Sequence, residues 1–533
     1  MNSLMTRRVP RIVLGLAVLG VLAAPARFAA RAPEPASSPN ILFILADDLD
    51  AAAMAFMPKL KALLTDQGVS FPNYFVSVSL CCPSRSTTLR GQYSHNSGIR
   101  TNGGGNGGFE TAYATGLEKS TIATWLQSAG YRTALYGKYL NGYPHTAPSL
   151  YVPPGWTDWA SAIAGNAYSE YNYALNEHGA RVPYGAGDGD YGTDVYARKA
   201  AAFVRKAATD ATPFFVYLAV YAPHAPATPA PRHAALFPNA RAPRTPSFDE
   251  ADVSDKPDYI RNRPRIGPLR QDIIDQLYRK RLQSLQAVDD AVAALVDTLK
   301  ATGQLARTFI VFASDNGFHL GQHRMLTGKQ TAYEEDIRVP LIVRGPGVPA
   351  GAVVPNFAAN VDLAPTFAEI GGAKTPEFVD GRSLVPLLGR STSSVTEWRQ
   401  VFLVEHWQEQ PATASDSSRE PVDADQARAA PLRAQQRRLA RVGGGGRAGR
   451  AGIQRAAPNA IPEFHALRTP QYTYVEYVTG ERELYDLARD PFELVNVAAT
   501  SEPALLASLS RRLHELAGCA AAACRRAEAR RIE

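Results

Sequence analysis

The fold is decided at residues 39–50, which read PNILFILADDLD. A continuous apolar run of this length is typical of a strand that is buried on both faces of a sheet. Similar runs recur at 133–136, 214–221, 308–313 and 340–343. Helical patterns lie between them, the clearest at 272–301. Strands that alternate with helices predict an α/β fold with a large, mostly parallel central sheet flanked by helices.

The pattern changes near residue 395, so we expect a large domain at 38–395 and a C-terminal α+β subdomain at 396–533. Within the second part, four short strands and one helix predict a small antiparallel sheet packed with that helix, at 401–405, 464–468, 472–477, 483–487 and 502–517. A stretch at about 409–460 is rich in Ala, Arg, Gln and Gly. It cannot form a packed core, and we expect a disordered insertion there.

The N-terminus reads as a secretory signal peptide over residues 1–30. Three arginines precede an apolar stretch that is too short to span a membrane comfortably, and alanine-rich sequence follows it. We therefore expect an exported protein, secreted or periplasmic, without a stable membrane anchor. A retained N-terminal anchor is the alternative.

The net charge of the 533-residue chain is +7, but its distribution argues against a nucleic-acid partner. Residues 1–30 contain four arginines and no acidic residue, and 411–460 contain nine arginines against four acidic residues. The rest of the chain is therefore slightly acidic. A basic surface patch is not indicated.

Two of the four cysteines, Cys519 and Cys524, close a short loop near the C-terminus. In an exported protein this spacing predicts a disulfide. A zinc site is a weak alternative, because no further Cys or His cluster lies nearby in the sequence.

Acidic and amide side chains follow two of the predicted buried strands. Asp47 and Asp48 end the first strand, and Asp315 and Asn316 end the strand at 308–313. Sites of open α/β sheets form at the carboxyl ends of strands. An all-oxygen ligand set suits Ca²⁺, with Mg²⁺ as the alternative. Either motif alone is also compatible with a turn or helix cap, and Asp50 is expected to cap the segment that follows it.

Basic side chains come soon after the other strand ends and point to the same crevice. Lys138 follows the strand at 133–136, His224 lies in a proline-rich loop after 214–221, and Lys329 follows the Asp-Asn pair. His319 and His323 lie near Lys329 in the sequence, and we interpret them as contacts at the rim of the site or behind it.

Residues 80–91 read LCCPSRSTTLRG. Ser84 is a good N-cap residue, so we expect a helix to begin after it, with Cys81 at the mouth of the helix and Arg85 one turn away. A helix N-terminus and an arginine both favour an anion. Adjacent cysteines are otherwise often structural.

The spacing Cys-x-Pro-Ser-Arg-x-x-x-Leu-x-Gly at residues 81–91 resembles the signature of the type I sulfatases, a branch of the alkaline-phosphatase-like superfamily. The doubled cysteine and the GKYLN segment at 137–141 are most similar to N-acetylglucosamine-6-sulfatases and extracellular endosulfatases. The segment ELYDL at 483–487 is also typical of them.

The resemblance implies that a formylglycine-generating enzyme converts Cys81 to formylglycine, whose hydrated aldehyde attacks a sulfate ester. It further implies that Asp47, Asp48, Asp315 and Asn316 hold calcium, which Cys81 also touches. Arg85 and Lys138 would stabilise the aldehyde hydrate. Lys329 and His224 would bind the sulfate and assist the leaving oxygen.

The predicted function is hydrolysis of a sulfated carbohydrate or an aryl sulfate. A phosphonate or phosphodiester hydrolase of the same superfamily is one alternative, and a catalytically silent binder of sulfated glycans is the other. One departure concerns the base that releases sulfate. Many arylsulfatases carry a histidine where this chain has Leu140, and His145 or Asn141 are the candidates to replace it.

Overall fold

The protein is described here from a computed structural model that covers residues 38–210, 212–389, 398–410 and 460–532. The predicted signal peptide at 1–30 and nearly all of the predicted insertion at 409–460 lie outside the described residues. Part of the predicted boundary near residue 395 lies outside them too, and the division into two domains stays a prediction.

The central sheet contains ten strands within the described residues. In chain order they are β1 (Asn40–Ala46), β2 (Val69–Ser70), β4 (Arg132–Gly137), β5 (Asp158–Gly165), β6 (Tyr173–Glu177), β7 (Ala180–Tyr184), β8 (Phe214–Ala219), β9 (Thr308–Ser314), β10 (Leu341–Arg344) and β11 (Ala352–Val353). Their spatial order is β11-β2-β10-β9-β1-β8-β4-β5-β6-β7. Two further strands, β3 (Tyr74–Phe75) and β12 (Ala358–Ala359), pair with each other.

The middle of the sheet is parallel, as the sequence predicts. Strand β1 pairs in parallel with both β8 and β9, and β4 pairs in parallel with β8 and β5. Strand β10 instead runs antiparallel to β9, and the β5-β6-β7 edge is antiparallel as well. Antiparallel neighbours need no crossover helix between them, so they add width at both margins without covering the faces.

Both faces of the sheet are covered, which explains the continuous apolar composition of β1. Ile41, Phe43 and Leu45 lie in one hydrophobic cluster, whereas Leu42 and Ile44 lie in the other. This alternation follows from the two-residue period of a strand. The α-helices are Pro58–Leu60, Cys81–Arg90, Ser94–Ser97, Gly108–Ala114, Ile122–Ser128, Gly192–Thr209, Asp258–Arg261, Pro268–Ala301, Glu334–Ile337, Leu363–Ile370, Pro503–Ala517 and Ala522–Ala529.

The long helix Pro268–Ala301 begins four residues before the predicted start at 272. Pro268 occupies its first turn, where the missing backbone N–H costs nothing because no intrahelical partner exists for it. Among the described helices, none combines the length and the apolar character that a membrane span requires.

The C-terminal part forms a separate antiparallel sheet. Its strands, in both chain order and spatial order, are β13 (Phe402–His406), β14 (Phe464–Arg468), β15 (Tyr472–Tyr477) and β16 (Arg482–Asp486). Leu509 and Leu513 of the helix Pro503–Ala517 pack into the same hydrophobic cluster as these strands. The predicted disulfide between Cys519 and Cys524 is present. The predicted α/β fold with a small antiparallel sheet and one packed helix is confirmed.

We predict that Gly137→Ala destabilises the fold strongly. Gly137 ends β4 with a φ of +114°, and a Cβ there would lie 1.9 Å from the carbonyl oxygen of Ala219 on β8. The matched control is Gly179→Ala, which has a φ of +90° but open space around the new Cβ. The control should lose about 1–2 kcal/mol of unfolding free energy from the left-handed backbone alone. Gly137→Ala should lose about 1–3 kcal/mol more, measured by denaturant unfolding. Equal losses would contradict the clash.

Candidate active site

Four parallel strands bring the predicted polar residues to one edge of the sheet. Asp47 follows β1, Asp315 follows β9, Lys138 follows β4, and the loop with His224 follows β8. Because β4, β8, β1 and β9 are consecutive neighbours, their carboxyl ends lie side by side. The predicted crevice therefore forms from residues far apart in the chain.

The acidic and amide residues are joined to one another by hydrogen bonds in this crevice. The backbone N–H of Asp48 donates to Asp315 Oδ1 at 3.0 Å, and Asn316 Nδ2 donates to Asp48 Oδ1 at 2.6 Å. Arg85 Nε donates to Asp315 Oδ2 at 2.8 Å. Asp47, Asp48, Asp315 and Asn316 are all fully buried, with at most 1% exposure. Their oxygens therefore face protein groups rather than bulk water.

Cys81 is the first residue of the helix Cys81–Arg90, with Leu80 as the N-cap residue. Its Sγ lies 3.6 Å from Asp47 Oδ1 and accepts a hydrogen bond from Lys329 Nζ at 2.8 Å. The thiol of Cys81 therefore contacts both Asp47, one of the acidic pair Asp47 and Asp48, and the ammonium group of Lys329.

The expected N-cap role of Ser84 is wrong. Ser84 lies inside the first turn of the helix, and its hydroxyl donates to the backbone carbonyl of Asp315 instead of capping a backbone N–H. Pro83 does not delay the helix start, because N–H groups of a first turn have no intrahelical acceptor and proline is tolerated there. The role of Ser84 is thus to join the helix to the end of β9.

The positive charges of two lysines and Arg85 offset the negative charges of the buried acidic side chains. Lys138 Nζ donates to Asp47 Oδ2 at 2.6 Å, and Lys329 Nζ donates to Asp48 Oδ1 at 2.6 Å. Burial opposes the ionisation of Asp47, but Lys138, His224 and Arg85 outweigh it and lower its pKa. Burial and the charge of Asp47 raise the pKa of Asp315. The two acids therefore differ in how tightly they hold a proton.

His224 lies in the crevice with a defined ring orientation. Its Nδ1 is 2.6 Å from the carbonyl oxygen of Ala225, so Nδ1 carries a hydrogen and donates it. Nε2 lies 3.7 Å from Asp48 Oδ2. The reactive nitrogen of the ring therefore faces the acidic pair.

The donor set fits a hard divalent cation. Asn316 Oδ1 is buried and makes no hydrogen bond with any described residue. Such an oxygen is costly unless a cation or a donor satisfies it. Ligand atoms of Asp47, Asp48, Cys81 and His224 also lie within 4.8 Å of one another. Carboxylate and amide oxygens in this number are the ligands that Ca²⁺ and Mg²⁺ accept.

Tyr168 is a site residue that the sequence does not reveal. Its ring centroid lies 4.5 Å from that of His224 and 5.0 Å from Lys138 Nζ, and its hydroxyl accepts from Asn141 Nδ2 at 3.4 Å. It belongs to the short 3-10 helix Ala167–Ser169, between β5 and β6. No motif surrounds it, so only the fold places it beside the two basic residues.

Arg281 is the second residue without a sequence signal. It lies in the middle of the helix Pro268–Ala301 and is fully buried. Its guanidinium donates to the carbonyl oxygens of Asp48 and Pro223 at 2.5 and 3.3 Å and to Asp50 Oδ2 at 3.0 Å. One side chain therefore fixes the loops that carry Asp48 and His224. Asp50 also caps the next turn as predicted, by accepting from the N–H of Ala53.

The remaining candidates lie in different surroundings. His145 is half exposed, 3.5 Å from Glu110, and Asn141 is the one of the two proposed replacements that contacts Tyr168. His319 Nδ1 bonds the carboxylate of Asp336 at 3.0 Å, behind the loop that carries Lys329. His323 bonds Glu250. The structure thus brings all the predicted catalytic and metal-binding residues together and leaves these histidines outside the group.

Sequence comparison identifies the family to which this geometry belongs. The model of the family described as Sulfatase matches residues 39–373. The chain belongs to the sulfatase family. The model described as N-sulphoglucosamine sulphohydrolase, C-terminal, matches residues 321–426. The resemblance drawn from residues 81–91 is thereby confirmed.

Three relatives show how much of the chain is shared. The chain is 33% identical to the N-acetylglucosamine-6-sulfatase of Homo sapiens over 537 residues, covering 96% of this chain and 89% of that protein. It is 39% identical to the extracellular sulfatase SULF-1 homolog of Drosophila melanogaster and 37% identical to the putative extracellular sulfatase Sulf-1 homolog of Caenorhabditis elegans, covering 69% of this chain in each case. It spans only 33% and 52% of those two proteins.

Solved structures share the fold. One, in complex with its substrate D-glucosamine-2-N,6-O-disulfate, has a TM-score of 0.69 at 23% identity, covering 90% of this chain and 97% of that chain. The phosphonate monoester hydrolase from Silicibacter pomeroyi has a TM-score of 0.61 at 24% identity, covering 89% and 93%. The fold alone therefore does not separate sulfate from phosphonate chemistry.

We predict that Arg281→Met lowers the free energy of unfolding by about 3–5 kcal/mol, because it leaves the buried Asp50 carboxylate without its cation. Lys280→Met, at the neighbouring exposed position, is the matched control and should stay within about 0.5 kcal/mol of the wild type. Denaturant unfolding followed by circular dichroism measures both. Similar stabilities for the two variants would show that Arg281 is not needed to hold the loops.

Proposed function

We propose that this protein is an exported sulfuric ester hydrolase that removes sulfate from a sulfated carbohydrate, using a formylglycine derived from Cys81 and a bound calcium ion. One observation carries the proposal. Cys81 Sγ, at the start of a helix, lies 3.6 Å from a carboxylate of the acidic group and 2.8 Å from Lys329 Nζ. A nucleophile at this position would have cation ligands on one side and a sulfate-binding lysine on the other.

The case for modification rests on the signature at residues 81–91 and on the match to the sulfatase family, and the buried environment of the thiol is compatible with it. Burial raises the pKa of Cys81 well above its ordinary value, in spite of the nearby lysines. Little thiolate would form at neutral pH, and the thiolate is the reactive form of cysteine. Conversion by a formylglycine-generating enzyme would instead supply a hydrated aldehyde whose oxygen attacks sulfur.

The metal ligands of the proposal are Asp47, Asp48, Asp315 and Asn316, with Mg²⁺ as the alternative to Ca²⁺. The bound cation would supply positive charge for the oxygens of the sulfate group. Asn316 Oδ1, which has no hydrogen-bond partner among the described residues, supports this assignment. Lys138 and Lys329 already lie against Asp47 and Asp48, so the crevice is built to hold negative charge between cations.

Each basic residue has a role that follows from its contacts. Arg85 and Lys138 lie against Asp47 and would stabilise the hydrate oxygen next to Cys81. Lys329 would bind the sulfate group. His224, whose Nδ1 is fixed by the carbonyl of Ala225, would donate a proton from Nε2 to the departing sugar oxygen. Fixed charges that need no rearrangement are effective at stabilising a transition state.

The names of the relatives support the proposed substrate class and the proposed location of the protein. N-acetylglucosamine-6-sulfatase is the name of the human protein that aligns along most of this chain, so we propose a 6-O-sulfated glucosamine unit as the first substrate to test. Two other relatives are named extracellular sulfatases, which supports export.

We predict that the tryptic peptide of residues 62–85, from protein made in its native host, has lost the sulfur of Cys81 and gained an aldehyde. Cys81→Ala should lower kcat on N-acetylglucosamine 6-sulfate by at least about 10³-fold. Cys82→Ser is the matched control, because Cys82 is the neighbouring buried cysteine and no described contact joins its thiol to Asp47 or Lys329, so the variant should keep the aldehyde and most activity.

Three results would contradict this function. The first is an unmodified Cys81 thiol in protein that still cleaves the sulfate ester. The second is faster turnover of a phosphonate monoester or a phosphodiester than of any sulfate ester, which would favour the second hydrolase class. The third is intact Cys81 in protein that binds sulfated glycans without cleaving them, which would favour a silent binder.

We predict that His224→Ala impairs hydrolysis of an alkyl sulfate more than that of an aryl sulfate. A sugar alkoxide is a poor leaving group and needs the proton from His224, whereas a phenolate does not. Loss of a general acid costs about 10²–10⁴-fold in rate, and this loss should appear with N-acetylglucosamine 6-sulfate but be much smaller with 4-nitrophenyl sulfate. Equal losses on both substrates would assign His224 to sulfate binding alone.

A further inference from the structure

A second group of ligand-type side chains lies outside the active-site crevice. The His–Glu cluster consists of His323, Glu335 and Glu493, and a ring nitrogen and carboxylate oxygens of these residues lie within 4.8 Å of one another. The three residues come from the loop after β9, the helix Glu334–Ile337 and the segment after β16. The cluster therefore joins the loop region that carries Lys329 to the C-terminal sheet.

Two atoms of the cluster have no ordinary partner. His323 Nε2 and Glu493 Oε1 are buried and have no partner at ordinary hydrogen-bond distance among the described residues, although the Thr473 hydroxyl, which also lacks such a partner, lies close enough to Glu493 to favour its ionised form. His323 is 0% exposed and Glu493 is 1% exposed. Buried polar atoms are almost always satisfied by protein, water or an ion, because leaving them unpaired is costly. The two orphan atoms therefore point to a ligand.

No basic side chain neutralises the two carboxylates. Within the described residues, neither Glu335 nor Glu493 forms an ion pair with lysine or arginine, although basic residues lie close by. Lys256 pairs with Glu250 at 3.3 Å, and Arg468 pairs with Glu334 at 2.6 Å. This contrasts with the active-site acids, which lie against Arg85, Lys138 and Lys329.

The ring of His323 is oriented as a metal ligand would be. Its Nδ1 lies 2.7 Å from Glu250 Oε2, so Nδ1 is the nitrogen that donates to the carboxylate, which leaves Nε2 as the nitrogen available to a ligand. Lys256 pairs with Glu250 at 3.3 Å, and stacking of His323 on Tyr333 at 4.0 Å between ring centroids fixes the ring plane. A carboxylate that bonds the far nitrogen of a histidine is the usual outer contact of a metal-bound imidazole.

We propose that the His–Glu cluster binds one Zn²⁺ ion through His323 Nε2 and carboxylate oxygens of Glu335 and Glu493. One imidazole and two carboxylates form a donor set that Zn²⁺ prefers, unlike the all-oxygen set at the strand ends. The ligand atoms of the three residues now lie within 4.8 Å of one another. Small side-chain movements would allow each of them to bond a central Zn²⁺ ion at about 2.0–2.2 Å. Glu335 is partly exposed, which would give the ion access from solvent.

Protons are the competing occupants of the cluster. Burial raises the pKa of Glu335, and burial with the charges of Glu334 and Glu335 raises that of Glu493. The neighbouring Thr473 hydroxyl also favours the ionised form of Glu493. Metal binding would displace these protons. The site is independent of the proposed hydrolase activity, since it shares no residue with the crevice.

The test measures zinc on the full chain after chelation, reloading with ZnCl2 and gel filtration. The wild type should retain about one Zn²⁺ per chain by inductively coupled plasma mass spectrometry. Glu335→Gln and His323→Gln should bind it at least about tenfold more weakly. Glu334→Gln is the matched control, because Glu334 forms an ion pair with Arg468 and is not a proposed zinc ligand. Asp315→Asn is a second control that removes a proposed ligand of the active-site crevice. Both variants should retain zinc as the wild type does.

The position of the metal provides a second readout that needs no variant to fold. Anomalous diffraction at the zinc edge should show a peak bounded by His323, Glu335 and Glu493. Absence of retained zinc in the wild type would overturn the proposal. So would equal zinc content in Glu335→Gln and Glu334→Gln, or a peak confined to the side chains of Asp47 and Asp48.

Discussion

The buried ion pair between Arg85 and Asp315 is the contact on which the rest of the site depends. It joins the helix that begins at Cys81 to the end of β9. Removing one partner of such a pair leaves an uncompensated buried charge, whereas the pair itself adds little net stability. Its importance is therefore positional: together with the bond from Ser84 to the Asp315 backbone, it sets where Cys81 lies relative to Asp47.

The opposite side of the crevice is held from one helix. Arg281 binds the backbone beyond β1 and the loop beyond β8, so Asp48 and His224 are fixed by the same guanidinium. Arginine suits this task because its donors have a rigid planar geometry. The chemistry at the strand ends thus rests on two buried arginines, one on each side of the crevice, and neither can move without moving a functional residue.

The sequence predicted the parts of the site that directly follow apolar runs. Asp47, Asp315 and Lys138 are visible because several polar residues follow buried strands, and parallel strands bring such ends together at one edge of the sheet. Tyr168 and Arg281 were not predictable, because their positions depend on how a short 3-10 helix and a long helix pack on the sheet. The N-cap prediction for Ser84 is wrong for a related reason: cap preference is a local signal, and a tertiary hydrogen bond outweighs it.

Charge compensation distinguishes the two clusters of buried acids in this protein. At the strand ends, three carboxylates lie against three basic side chains, and the neutral Asn316 contributes a buried amide oxygen that has no hydrogen-bond partner among the described residues. In the His–Glu cluster, the nearby basic residues are engaged by other acids, and the orphan atoms are a histidine nitrogen and a carboxylate oxygen. If a divalent ion binds there as proposed, the positive charges of the first arrangement would exceed the negative charges, and an anionic substrate could be accepted. The His–Glu cluster has no excess positive charge with which to bind an anionic substrate. A cation is therefore the ligand that suits its carboxylates and its histidine nitrogen.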